Sequence, residues 1–220
     1  GDARAAGINI VITLITPVLN NADTIGDCLH SVTSQTIACQ HIVVDGGSTD
    51  GTLAIIEKYT TPDAIVISES DQGMYDAINK GLALATGEVV GILNADDFFP
   101  SDDVLAKIAA VFADPEIDAS YGDLLYVDRN DTTKVIRQWQ SGAYRRDKFY
   151  AGWMPPHPTF YLRRRLYQQH GGYRLDLLMG FRYMRLDESL RIREDLISLR
   201  DDVLSEFDLY DSFETENRFS

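Results

Sequence analysis

Through the first hundred residues, short apolar runs rich in β-branched side chains alternate with stretches of helical periodicity, which confines the chain to a narrow set of folds. Ile8 to Ile15 reads as a central parallel strand, and Thr16-Pro17 is expected to end it because proline cannot donate to a ladder. A helix with Ile25, Leu29 and Val32 on one face follows, then a strand at His41 to Asp45. The loop Gly46-Gly47-Ser48-Thr49-Asp50-Gly51-Thr52 has the glycines and small polar side chains of a tight strand-to-helix turn, leading into a helix with Leu53, Ile56 and Tyr59. Ala64 to Ser68 is the third strand, and Met74 to Ala85 is a helix with Ile78, Leu82 and Ala85 inward and Gly87 as its stop. Strands separated by helices of this length predict βαβ units, a parallel sheet and right-handed crossovers.

The fourth strand, Val89 to Leu93, runs into Asn94-Ala95-Asp96-Asp97. Open α/β sheets bind ligands beyond the carboxyl ends of their strands. A hard cation such as Mg²⁺ takes one or two carboxylates from the protein and other oxygens from water and a phosphate, so the pair suits a metal site. Equally open from this stretch alone is that Asp97 or Asp102 caps a helix starting near Asp103. Beyond it the pattern changes. A helix is predicted over Asp102 to Phe112, with Val104, Ile108 and Val111 inward. Strands at Ala119 to Val127 and Thr133 to Trp139 flank the hairpin turn Asp128 to Thr132. The proline-rich loop Trp153 to Pro158 precedes a strand at Thr159 to Leu162 and a helix at Arg163 to His170, stopped by Gly171-Gly172. Trp153 reads as a core or loop anchor ahead of a stacking platform for a ligand. From Arg182 onward 17 of 39 residues are charged, yet Ile192, Leu196, Leu199, Val203 and Phe207 keep helical spacing, which predicts one amphipathic helix and a disordered tail.

A length of 220 residues suits one domain with an appendage. The formal net charge of −14 disfavours a nucleic-acid partner, since nothing offsets repulsion from a phosphate backbone. Cys28 and Cys39 lack metal-ligand spacing and are expected to be buried reduced thiols. No apolar run reaches 18 residues and no secretory signal is visible, so a cytoplasmic location is expected, with Gly1 to Gly7 as a flexible remnant.

Four pieces coincide in order: Thr16-Pro17-Val18-Leu19-Asn20; Val43 to Thr52; Ser68-Glu69-Ser70-Asp71-Gln72-Gly73-Met74-Tyr75-Asp76-Ala77-Ile78-Asn79-Lys80-Gly81; and Asp96-Asp97. Together they resemble the family 2 glycosyltransferases of bacterial surface-polysaccharide synthesis, particularly those similar to colanic-acid-type transferases, over about Ile8 to Asp176. The resemblance implies a Rossmann-like GT-A fold: a mostly parallel central sheet flanked by helices, with a smaller antiparallel acceptor-side part. On that basis residues 8–100 form a nucleotide-sugar half, 101–176 an acceptor-side half, and 177–220 a charged helical segment.

The implied activity is inverting transfer of a sugar from a nucleotide-sugar donor, UDP-linked by analogy, to a saccharide or lipid-linked acceptor. Asp45 would read the base; Thr16 and Pro17 would line its pocket; Asp71, Gln72, Asn79 and Lys80 would shape the donor site. Asp96 would hold the ribose or sugar and Asp97 the Mn²⁺ or Mg²⁺. His157 falls where the family often has a histidine near the acceptor or diphosphate, and is a second metal candidate. The residues by themselves leave bland alternatives open: Asp45 as a turn cap, Asp71 and Asn79 as turn and helix-surface residues, His157 as a loop residue. Leu19 stands where an aromatic is frequent.

One position departs from the pattern. An inverting transferase needs a general base, and the family places an Asp shortly after Gly-Gly-Tyr. Here Gly171-Gly172-Tyr173 is present, but Phe181-Arg182-Tyr183 puts a permanent cation at that position. Asp187 is the candidate base, with Glu188 and Asp195 as neighbours; Asp187-Glu188 at a helix start is the competing reading. The alternative function is a nucleotide-sugar-binding protein that has lost its base. The family's lipid-linked acceptors imply peripheral association with the inner membrane face, and self-association into a homo-oligomer stays open. A dehydrogenase is disfavoured because no G-x-G-x-x-G follows the first strand.

Overall fold

The computed structural model describes residues 10–144 and 153–175, with two further strands at Ile192–Glu194 and Leu199–Asp201. The opening alternation becomes four parallel strands, β1 (Ile12–Val18), β2 (Gln40–Asp45), β3 (Ile65–Ser68) and β4 (Val89–Ile92), side by side in the order β4-β1-β2-β3. α1 (Ile25–Thr33), α2 (Thr52–Tyr59) and α3 (Met74–Leu84) connect them. Both faces are covered. Ile12, Leu14 and Val18 of β1 join Ile25, Leu29 and Ile56 in the main core, whereas Ile15 packs the other way, with Val90, Leu82 and Ala85. Burial on two faces is why β1, β2 and β4 read as continuous apolar runs, whereas β3, at the edge of the sheet, alternates half-buried and exposed residues; each buried aliphatic side chain contributes about 1.5–3 kcal/mol. α3 lies close on β1 because residue 81 is glycine: a Cβ there would come within 2.6 Å of Ile15 Cγ2.

β1 does not end at Thr16-Pro17 but continues to Val18, with Pro17 level with Val44 of β2. Ile15 O accepts from Leu93 N–H, so residue 15 and, two further on, residue 17 turn their backbone groups toward β4. β4 has already finished at Ile92, so the missing donor of Pro17 meets no ladder.

After β4 come β5 (Asp97–Phe98), α4 (Val104–Phe112), β6 (Ala119–Tyr121), β7 (Leu124–Asp128), β8 (Asp131–Trp139), a 3-10 turn at His157–Thr159, β9 (Tyr161–Arg163) and α5 (Arg164–His170). The single strand expected over Ala119 to Val127 is two. The chain leaves one sheet at Tyr121 and enters another at Leu124, pinned at the break by Thr159 Oγ1, which accepts from Gly122 N–H at 3.1 Å and donates to Gly122 O at 2.9 Å. β9 runs antiparallel between β4 and β6, and its Tyr161 ring packs against Gly91, where no Cβ would fit. Neither Asp97 nor Asp102 caps α4; Gln35 Oε1 accepts Leu105 N–H at 2.9 Å instead.

The amphipathic helix expected through Ile192, Leu196, Leu199, Val203 and Phe207 is not what forms at the places described. Ile192–Glu194 is β10, parallel to β6, and Leu199–Asp201 is β11, between β5 and β7. The order is β10-β6-β9-β4-β1-β2-β3 in the large sheet and β5-β11-β7-β8 in the small one. Helical spacing of apolar residues loses here to open ladder positions on β5, β6 and β7, whose backbone groups need partners. Arg182, Asp187, Glu188 and Asp195 lie outside the described residues.

Candidate active site

Three parallel strands end in one row: Val18 of β1 is level with Asp45 of β2, and Asp45 with Ser68 of β3. β4 stops earlier, its Ile92 level with Ile15, which leaves a notch beside Thr16, Pro17 and Val18. The loops that follow these ends carry most of the residues singled out in the sequence.

Asp45 is fully buried and its carboxylate is heavily used. It accepts Ser48 N–H at 3.1 and 3.2 Å on its two oxygens, Ser48 Oγ–H at 2.5 Å and Ser68 Oγ–H at 2.6 Å. It therefore holds the Gly46-Gly47-Ser48 turn to the end of β3, the capping role that stood as the alternative. Thr16 is also buried, its Oγ1 3.0 Å from His41 Nε2, and Pro17 is buried beside it. Burial pushes His41 down to about 4, so it is a neutral partner. What the first loop presents outward is Leu19 and Asn20.

Asn20, quoted in the first motif but given no role there, organises the loops of the candidate site. It sits at φ 49°, a left-handed conformation Asn tolerates, and laces two loops together. Its N–H donates to Ser48 Oγ at 2.7 Å and its Oδ1 accepts Thr49 N–H at 2.9 Å. Asn21 N–H reaches Thr52 Oγ1 and Ala22 N–H reaches Asp50 Oδ2, so the Gly-rich loop is stitched to the chain after β1 along its length. The signal was the run of Asn, Ser, Asp and Thr in both segments.

The third loop presses on the second. Asp71 Oδ2 lies 2.6 Å from where a Cβ on Gly46 would stand, and Asp71 Oδ1 accepts Gly73 N–H at 2.8 Å. Gln72 is exposed, its N–H bound to Asp76 Oδ2. Lys80 reaches back from α3 to Glu69 at 2.9 Å, Asp76 at 3.5 Å and Ser70 O at 3.2 Å, stapling this loop to its own helix. Asn79, one residue earlier, turns away from the loop. Its Oδ1 accepts Tyr173 N–H at 2.7 Å and its Nδ2 donates to Tyr173 O at 2.8 Å.

After β4, Asp96 is half-buried and Asp97 is buried, its Oδ2 accepting from Asn94 Nδ2 at 2.9 Å. The turn is tied to α1 by Thr24 Oγ1, which donates to Ala95 O at 3.0 Å, and by Cys28 Sγ, which donates to Asn94 O at 3.4 Å. Burial, then the Asp97 charge, push the Cys28 thiol well above its usual range, and both cysteines are free thiols. Among the described residues no group of three or more His, Cys, Asp or Glu side chains is arranged to hold a cation, so Asp96, Asp97 and His157 do not combine as one. His157 packs edge-on to Tyr173 with ring centres 6.0 Å apart, and burial pushes it down to about 4. A buried acid beside a half-buried one still fits a hard cation that draws most of its oxygens from water and a diphosphate. Trp153 is an anchor, donating from Nε1 to Ser141 O at 3.2 Å and meeting Tyr121 edge-on.

A mostly parallel sheet with helices on both faces, polar loops gathered where its strands end and an acidic pair after β4 defines a GT-A architecture. The sequence model described as glycosyl transferase family 2 matches residues 13–185, and the chain belongs to that family. A PGL/p-HBAD biosynthesis glycosyltransferase of Mycobacterium tuberculosis is 35% identical over 170 residues, 75% of this chain and 64% of the relative, so the chain spans just under two thirds of the relative's length. Glycosyltransferase AglE of Haloferax volcanii is 31% identical over 132 residues, 57% of this chain and 43% of the relative. Among solved structures, a mannosyltransferase of Pyrobaculum calidifontis in complex with GDP-Man and Mn²⁺ superposes with a TM-score of 0.70 at 22% identity, covering 97% of this chain and 63% of that one. Residues 1–349 of S. aureus TarS in complex with UDP-GlcNAc give 0.57 at 24% identity, covering 75% and 49%. Among the described residues no helix is long and apolar enough to cross a membrane.

Proposed function

We propose that this chain is the transferase unit of an inverting, cation-dependent glycosyltransferase that moves a sugar from a nucleotide-sugar donor, UDP-linked by preference, to a saccharide or lipid-linked acceptor in polysaccharide synthesis. The observation that carries this reading is the row of strand ends: the β1, β2 and β3 loops are laced to one another, and the Asp96-Asp97 turn stands at the β4 end of the same sheet. In this reading Leu19 and the Gly46–Ser48 turn receive the base, with the buried Asp45 fixing the turn. The Asp71–Gly73 loop, held by Lys80, flanks the sugar. Asp96 and Asp97 would hold Mn²⁺ or Mg²⁺, which when bound supplies positive charge to the departing diphosphate. The buried Asp97 is kept in place by Asn94, so its carboxylate is oriented before any ligand arrives. The base that takes the acceptor proton belongs to the segment beyond Asp176, with Asp187 as candidate.

The donors bound by the two solved structures, GDP-Man and UDP-GlcNAc, define the first test. Calorimetry of UDP, GDP, UDP-GlcNAc and GDP-Man is run with Mn²⁺ and with EDTA. One nucleotide is expected to bind only with the cation, and Asp97→Ala to abolish that cation-dependent binding while the protein still melts cooperatively. Cation-independent binding in the parent, or unchanged cation-dependent binding in the variant, refutes the metal assignment. Arg182, at the position of the family's base, favours a second reading, a donor-binding protein without turnover. Binding with no nucleotide release, unaltered by Arg182→Asp, would establish it.

A further inference from the structure

Three features meet at Tyr173. Tyr75 and Asn79 lie four residues apart on α3 and so share a face, and both engage it: Tyr75 stacks on its ring at 5.4 Å with planes 16° apart, and Asn79 closes both hydrogen bonds on its backbone. Tyr167 of α5 packs against the same ring at 6.2 Å, and His157 of the 3-10 turn meets it edge-on at 6.0 Å. The two glycines before it are needed for this seat. Gly171 has φ 84°, and a Cβ on Gly172 would overlap Asn79 Oδ1. Asn79 thus spends its amide on a residue 94 positions away, while its neighbour Lys80 holds the Glu69–Asp76 loop. Adjacent residues of one helix grip two separate loops, Glu69–Asp76 and Gly171–Tyr173.

We infer that Asn79 is a positioning residue that locks the Gly171–Tyr173 loop in register with the donor side without touching the donor. α3 then acts as the gauge between the halves. Lys80 sets the donor loop, Asn79 with Tyr75 sets the acceptor-side loop, and the Tyr167 and His157 rings stop Tyr173 from rolling out of its seat. The inference rests on the transferase reading above.

The test uses the full chain with UDP and UDP-GlcNAc, or GDP and GDP-Man if those bind, in Mn²⁺. Nucleotide release is measured to water and to an octyl glycoside. Asn79→Leu should leave the nucleotide Kd within about twofold yet lower kcat by about tenfold or more, because displacement of a positioning group by an ångström commonly removes up to about 10² in rate. Hydrogen exchange at the Tyr173 N–H should quicken by about the same factor. Gly172→Ala, which pushes on the clamp from the other side, should give the same split and keeps the test alive if Asn79→Leu does not fold. Lys80→Ala should show the reverse, with weaker nucleotide binding. A parent that binds donor and releases nothing defeats the transferase reading. A parent that turns over, with Asn79→Leu weakening nucleotide binding tenfold or leaving both Kd and kcat unchanged, defeats this inference alone.

Discussion

Asp45→Asn is the perturbation whose outcome the structure reshapes most. If Asp45 merely capped a turn with one oxygen, asparagine would keep that oxygen and stability would hardly change. Both oxygens are engaged, however: a backbone N–H shared between them, with the Ser48 hydroxyl on one and the Ser68 hydroxyl on the other. Asparagine can accept one hydroxyl, while its amide N–H₂ turns toward the other serine, whose hydroxyl must rotate to accept. Bonds to a charged group, worth about 1.5–3 kcal/mol, become neutral ones worth about 0.5–1.5. Relief from burying a carboxylate returns part of this, leaving a net loss of about 1–2 kcal/mol. For a chain of this size that lowers Tm by roughly 2–8 °C. Urea unfolding of Asp45→Asn, Ser68→Ala and the double variant should give a coupling energy of about 1 kcal/mol. An unchanged midpoint with coupling below about 0.3 kcal/mol would refute the reasoning. The same variant should weaken UDP binding about tenfold if the carboxylate also meets the base.

Other consequences are open to the same measurements. Tyr161 OH is buried with no hydrogen-bond partner among the described residues, so Tyr161→Phe should leave stability unchanged or raise it by about 1 kcal/mol; a loss of that size would mean the hydroxyl is bonded. His41 and His157 are each pushed down to about 4 by burial, so between pH 4 and the ordinary histidine value of about 6.5 the unfolded chain binds more protons than the folded one. Stability is therefore full above about pH 6.5 and falls as pH drops toward 4, by up to about 1.4 kcal/mol per pH unit for each histidine; His41→Gln should halve the slope, and a flat urea midpoint across this window would overturn the burial argument. Gly81→Val should cost about 1–3 kcal/mol by forcing α3 off Ile15, and a melting temperature equal to the parent's would show that the helix can shift freely.

The local alternation of apolar runs and helical stretches was enough to place β1 to β4 and the helices between them: β1, β2 and β4 are buried on both faces, which leaves a clear record in side-chain type, and even the half-exposed β3 keeps a β-branched run. It also placed the loops that carry the candidate site, since ligands collect where such strands end. Decisions made between distant segments were not legible. Whether Pro17 ends a strand depends on where β4 stops, and whether Ala119 to Val127 is one strand or two depends on Thr159. The C-terminal apolar spacing suits a helix in isolation, yet Ile192–Glu194 and Leu199–Asp201 satisfy ladders that the rest of the chain leaves open. The site divides the same way. Asp45, Asp71, Asp96 and Asp97 were grouped only through the family resemblance, and which hydrogen bonds each one makes was not legible. Asn79 belonged by its motif to the donor side, and only the folded chain turned it toward Tyr173, because a hydrogen bond between residues 94 apart leaves no periodicity in a sequence to read.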